Sequence, residues 1–252
     1  QWYQRRVHGD RKMEVEGAAD PNPTLETPDY HGDDDPPTLS LHSLAALEEF
    51  LAEQHPAVPG DGGLFAGSDE EVALLSEDWR QSQFWYEPET AKTVAQEVLA
   101  LCQSMLSNVA CIACPTLYAY LRKSSSSIKV RLLEYDRRFG CYGSDYTFYD
   151  YNEPEELPST LMHAYEIVVA DPPYLSKECL EKVGRTVSFL SKPGQTYLLL
   201  LTGEVQRDLA AKLLGVQPCV FRPRHSSKLG NEFCLFTNYD PGTRLGGWDL
   251  AM

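Results

Sequence analysis

From Pro88 onward the chain alternates short apolar runs with amphipathic stretches, and this alternation restricts it to very few folds. Pro88 and Glu89 open a predicted helix reaching Leu101 or Met105, with Val94, Val98 and Leu101 on one side. The uninterrupted apolar run 109–114 suits a buried parallel strand. A helix over 116–123 and strands over 129–136 and 146–149 follow. Next come a short helical stretch over 157–164, a strand over 166–170, a helix over 176–190 and a strand over 196–201. A helix over 204–214 is closed by Gly215. Strands over 220–222 and 233–238 complete the pattern. The spacing predicts an α/β fold: a seven-stranded, mostly parallel, doubly wound sheet. The last two strands are joined without a helical crossover, so one of them should run antiparallel.

Charge divides the chain differently. Its net charge of −15 is concentrated in residues 13–79, which hold 17 Asp or Glu and no Lys or Arg. From Arg80 on, 18 basic residues face 19 acidic ones. An acidic arm repels phosphate backbones, and a neutral body offers no broad basic field, so nucleic acid is not the expected partner. Residues 1–38 carry five prolines and the run Asp33-Asp34-Asp35-Pro36-Pro37, and they are expected to be a disordered acidic leader. Residues 39–78 are read as a helix through Leu44, Leu47, Phe50 and Leu51 followed by an acidic linker, 79–240 as the main domain, and 241–252 as a tail. No apolar run reaches the roughly 18 residues of a membrane span. The seven cysteines form no disulfide framework, and no apolar leader is visible, so a cytoplasmic monomer away from membranes is expected.

The chemistry is concentrated in Asp171-Pro172-Pro173-Tyr174, which follows the apolar run Ile167-Val168-Val169-Ala170 and precedes a helix. Ligands of open α/β sheets bind at that edge. The two prolines fix the backbone and remove two N–H donors, leaving carbonyls to accept. With the Asp171 carboxylate and the Tyr174 ring, these groups suit a nitrogen held by its hydrogens while its lone pair faces an electrophile.

In this position Asp-Pro-Pro-Tyr resembles the catalytic motif of S-adenosylmethionine-dependent amino-methyltransferases. Five ordered blocks narrow the resemblance: WRQSQFWY (79–86), EYDRRF (134–139), FYDYNEP (148–154), VVADPPYLS (168–176) and RPRHSSKLGNEF (222–233). Together they resemble the elongation factor 1-alpha lysine methyltransferase 1 family, once labelled by its motif as adenine-specific DNA methyltransferase. The resemblance covers about 38–240. It implies a Rossmann-like class I methyltransferase domain, S-adenosylmethionine as cofactor, a lysine of translation elongation factor 1-alpha as target, and Asp171, Pro172 and Tyr174 as catalytic residues. A methyltransferase acting on adenine in nucleic acid is the alternative, and a fold retained only for interaction is the third reading.

On such a sheet an acidic side chain at the end of the second strand takes the ribose hydroxyls. Asp136 is the first choice and Glu134 the second; two residues apart on one strand, they would share a face. Asp150 can accept from the adenine amine while Tyr151 stacks, although Asp150-Tyr151-Asn152 also reads as an Asx turn into Pro154. The turn after the first strand is Ala113-Cys114-Pro115-Thr116, without the glycine usual there. Ala113 and Cys114 are nevertheless assigned to the cofactor, together with Phe84, Trp85 and Asp171. Gln83, Tyr86, Tyr174, Arg224 and Asn231 are assigned to the substrate, since aromatic faces attract an amine. Arg222, Arg224, His225 and Lys228 form a local basic cluster that fits an acidic protein surface, a phosphate or simply solvent. Cys111 and Cys114 are an isolated C-x-x-C, and no metal site is expected.

Overall fold

The computed structural model describes residues 74–102, 107–227 and 229–249, all within the compact unit Asp61–Met252. The expected leader, the helix through Leu44 and Leu51, most of the linker, and Lys228 lie outside the described residues.

The elements are α1 (Pro88–Cys102), β1 (Asn108–Ile112), α2 (Pro115–Ser124), β2 (Lys129–Glu134), β3 (Tyr146–Phe148) and β4 (Ile167–Ala170). They continue with α3 (Lys177–Leu190), β5 (Tyr197–Gly203), α4 (Arg207–Leu214), β6 (Gln217–Pro218) and β7 (Phe233–Thr237). The seven strands form one sheet in the order β3-β2-β1-β4-β5-β7-β6. Strands β1 to β5 pair in parallel, and β7 is antiparallel to both neighbours. The doubly wound expectation holds because successive strand residues face opposite helical layers. Val109 and Cys111 of β1, Leu132 of β2 and Val169 of β4 pack with Val94 and Val98 of α1 and Leu117 and Leu121 of α2. Ala110, Ile112, Leu133 and Val168 pack instead with Leu180, Val183 and Leu190 of α3.

Three expectations are corrected. The strand over 220–222 is absent; β6 forms at Gln217–Pro218, where Pro218 sits on the sheet edge and its missing N–H costs no ladder bond. Val220 and Phe221 donate instead to the carbonyls of Gly247 and Leu245. The helical stretch over 157–164 is reduced to the single 3-10 turn Ser159–Leu161, entered from Pro158 at an extended ψ of 131°, and a second 3-10 turn, Pro154–Glu156, lies just before it. Strand β2 stops at Glu134, because Asp136 caps the 3-10 segment Arg137–Asp145 by accepting from Arg138 N–H at 2.9 Å. A smaller difference lies at 204–214, where the 3-10 turn Glu204–Gln206 precedes α4, and Gly215 closes that helix with φ 65°.

The part of the expected tail that is described packs on the body. Arg244 pairs with buried Glu97 at 2.6 Å, and Trp248 Nε1 donates to Thr237 Oγ1 at 3.0 Å. The strand order reverses beside β1, since the chain runs outward through β2 and β3 and returns at β4. That switch point opens a crevice at the carboxyl ends of β1, β2 and β4.

Candidate active site

Two adjoining cavities fill this crevice, sharing Gln81, Ala113, Glu134 and Pro173. The first is walled by Phe84, Trp85, Tyr86, Asp171, Pro172 and Asn231, among others. The second is walled by Tyr135, Tyr149, Asp150, Tyr151 and Tyr174. Between them the chain turns at Ala113, which adopts φ 53° while its N–H donates to Leu133 O at 2.8 Å. The left-handed conformation that a glycine would supply is therefore present, carried by a residue with a Cβ. Cys114 follows at the start of α2; it is buried, its Sγ lies 3.6 Å from Val169 O, and burial pushes its thiol well above the ordinary range. It lines the cleft as a small apolar group.

At the end of β4, Asp171 N–H donates to Ile112 O at 3.0 Å, which fastens the Asp-Pro-Pro turn to the end of β1. Enclosure raises the Asp171 carboxyl to about 8; the Tyr86 hydroxyl opposes this, and the nearby Glu134 charge adds to it. Burial likewise raises Glu134 to about 7, against the Asp136 N–H that donates to its Oε1 at 3.1 Å. Two carboxyl groups thus share one cleft with proton affinity raised chiefly by burial, a pattern that clusters at functional sites.

Asp136 sits differently from Glu134. It lies beyond the strand, and its Oδ2 accepts from Gln83 Nε2 at 2.9 Å and from Arg138 Nε at 2.8 Å. Burial alone would raise it, but Arg138 and Gln83 overcome that and hold it below the usual carboxylate range. Glu134 lines both cavities and Asp136 neither. Gln83 is spent in the same way: its Oε1 accepts from Arg138 Nη2 at 3.1 Å and from Asp78 N–H at 3.0 Å. These bonds tie the strap 77–86 to the end of β2. Trp85 anchors the strap further, donating from Nε1 to Leu75 O at 2.8 Å, with its ring edge-on to Phe139. Asp150 forms the Asx turn, accepting from Asn152 N–H at 2.8 Å. Tyr151 lies 5.8 Å from Tyr174, whose ring is exposed.

A family model described as "Probable N6-adenine methyltransferase" matches residues 77–241. EEF1A lysine methyltransferase 1 of Homo sapiens is 43% identical over 217 residues, covering 85% of this chain and 97% of the relative. The chain belongs to this family of methyltransferases. Protein-lysine N-methyltransferase M142.8 of Caenorhabditis elegans is 34% identical, covering 82% of this chain and 95% of that one. Among solved structures, a branched-chain polyamine synthase mutein from Thermus thermophilus aligns with 15% identity and a TM-score of 0.47, covering 65% of this chain and 59% of the other.

In this family member Arg222 and His225 drop out of the basic cluster read from sequence. Arg222 pairs with Asp249 and donates to the carbonyls of Cys219 and Val220, so it braces the sheet edge. Burial lowers His225 to about 4, leaving it neutral in physiological conditions. Arg224 is exposed, its N–H donating to Thr90 Oγ1 at 2.9 Å, and Asn231 reaches the first cavity. Sequence reasoning missed His225 and Phe233, both of which wall that cavity, and Tyr135 on the second. The signal for His225 was its place in the block, hidden by the charges on either side. Cys111 and Cys114 are both buried, and among the described residues no three His, Cys, Asp or Glu converge on a metal position.

Proposed function

We propose that the chain transfers a methyl group from S-adenosylmethionine to a lysine side chain of translation elongation factor 1-alpha. The observation carrying this reading is Asp171-Pro172-Pro173 at the mouth of β4, facing a cleft with two proton-hungry carboxyl groups, in a family of lysine methyltransferases. The residues fit the cofactor. Glu134, which lines both cavities, suits the ribose hydroxyls. Tyr151 and the remaining oxygen of Asp150 suit adenine. Phe84, Trp85 and the turn Ala113-Cys114 suit the amino-acid end and the sulfonium. When bound, the cofactor supplies a methyl group activated by its sulfonium for in-line displacement.

The chain's own residues must deliver an uncharged, oriented amine. A free lysine has a pKa near 10.4 and arrives protonated. The cleft is lined by aromatic rings and partly dry, which disfavours the ammonium. Asp171 and the carbonyl of Pro172 accept the amine hydrogens; Tyr174, expected beside them, lines the second cavity instead, with an exposed ring. A neighbouring cation favours ionised Asp171, so the carboxyl that is neutral in the empty cleft becomes an acceptor when the site fills. Asp136 and Gln83 serve by holding the strap.

We assign this activity to a monomer in the cytoplasm, where a translation factor works. Among the described residues no helix is long and apolar enough to cross a membrane. Radiolabel transfer from the cofactor to elongation factor 1-alpha, DNA and RNA tests the reading. Label on a protein lysine, lost with Asp171→Ala, is expected. The second reading, adenine methylation, is favoured by the description of the family model and by a planar base amine fitting the same oxygens. Label on nucleic acid alone would replace the first reading with it.

A further inference from the structure

Above the first cavity, the strap 77–86 meets the loop 222–231. Tyr86 and His225 form an antiparallel bridge. Beside it, Glu87 N–H donates to Arg224 O at 2.9 Å and Ser226 N–H donates to Trp85 O at 2.8 Å. The Tyr86 and His225 rings lie 4.4 Å apart at 32°, and Phe233 meets His225 edge-on at 4.5 Å. Ser227 Oγ adds a bond to Glu77 Oε2 at 3.2 Å. The Tyr86 ring is thus fixed by the backbone on one side and by a neutral imidazole on its face. It is 3% exposed, and its hydroxyl has no hydrogen-bond partner, although it faces the Asp171 carboxyl across the cavity wall. A buried, unpaired hydroxyl is costly, and here it points where a ligand would satisfy it.

We propose that the Tyr86 hydroxyl and the Asp171 carboxyl together hold the target nitrogen, and that His225 positions the Tyr86 ring. This deepens the lysine reading above and rests on it. Tyr86 lines the cavity that contains Asp171, Pro172 and Asn231, and it is absent from the wall of the adenine-side cavity. Its O–H donates to Asp171 once that carboxyl ionises, which turns the oxygen lone pairs toward an amine hydrogen. With one hydrogen on Asp171 and the other shared between the Pro172 carbonyl and the Tyr86 oxygen, the nitrogen lone pair is directed away from all three oxygens. The groups bearing on Asp171 are Tyr86 from the strap, Glu134 from β2, Cys114 from the turn after β1 and Cys179 from α3.

Tyr86→Phe in the full-length protein is the test. It removes a hydroxyl that pairs with Asp171 only when that carboxyl ionises, so below about pH 8 the melting temperature should stay level or rise. Calorimetric affinity for S-adenosylmethionine should remain within about twofold, while kcat/KM on elongation factor 1-alpha falls about tenfold or more. Asp171, followed by carbon NMR of its carboxyl, should titrate at higher pH in the variant, because it loses a donor. His225→Phe, which keeps a stacked ring, should retain most activity, and His225→Ala should lose it without losing cofactor affinity. An unchanged Asp171 titration, turnover within twofold of wild type, or cofactor affinity falling in step with turnover would overturn the clamp. If the wild-type protein labelled no lysine while Tyr86→Phe still moved the Asp171 titration, the clamp would stand and the lysine reading would fall.

Discussion

Asp171 and Glu134 differ in how each carboxyl is used. Raised to about 8 in the folded chain from an ordinary 3.8, Asp171 binds its proton more tightly folded than unfolded. Its ionisation therefore opposes folding, and the ligand-free protein should lose stability as pH rises from about 4 to about 8. Thermal melts of Asp171→Asn should flatten that slope; an unaltered slope would assign it to other groups. The same substitution should abolish turnover. Glu134→Gln should weaken cofactor binding by roughly 1.5–3 kcal/mol, the worth of hydrogen bonds to a charged acceptor. Asp136→Ala should act on the fold instead, since it releases Gln83 and Arg138, and a loss of roughly 1.5–3 kcal/mol should appear in denaturant unfolding. If calorimetry showed Asp136→Ala weakening the cofactor and Glu134→Gln leaving it unchanged, the two assignments would have to be exchanged. Sequence ranked these residues in the opposite order, because strand alternation counts positions and cannot see that β2 ends at Glu134. The capping bond from Arg138 N–H that turns Asp136 away is a local event with no period.

Among the elements, what was legible follows burial. Strands β1, β4 and β5 are apolar on both faces, so their identity is written in nearly uninterrupted runs, whereas β2 reads by alternation of Lys129 and Arg131 with Val130 and Leu132. Strand β6 was misplaced because two residues carry no pattern of their own, and its pairing with β7 comes from the partner strand. The 3-10 segment Arg137–Asp145 was unassigned for the same reason; it buries only Phe139. The turn after β1 was legible as an anomaly, the absence of glycine, and the structure gives its physical form. Ala113 holds φ 53° and carries a strain of about 1–2 kcal/mol for a residue with a Cβ. Ala113→Gly should therefore raise unfolding free energy by up to about 1 kcal/mol, after the added freedom of the unfolded glycine is subtracted. A destabilised variant would mean that the alanine methyl contributes packing greater than the strain.

For the whole molecule, the excess negative charge and the stretch that the family model matches are almost entirely separate lengths of chain. Residues 1–37 lack apolar periodicity and precede the stretch that the family model matches, so their deletion should leave turnover on saturating protein substrate nearly unchanged. At low salt the deletion should slow encounter with a basic partner, a difference that added salt suppresses. Loss of turnover at saturating substrate and high salt would instead place this arm in the active site.

The walls of the first cavity come from opposite ends of the described domain. Glu77 bonds Ser227 and Thr90 bonds Arg224, across separations of 150 and 134 residues. Loops of that size close late, after the local pairings beside them. While the ribosome is still making this polypeptide, β1 through β4 can form, but Tyr86 has no His225 to stack on until the last part of the sheet emerges. The first cavity therefore gains this wall only after residues 222–233 have been made, well after the central strands of the sheet.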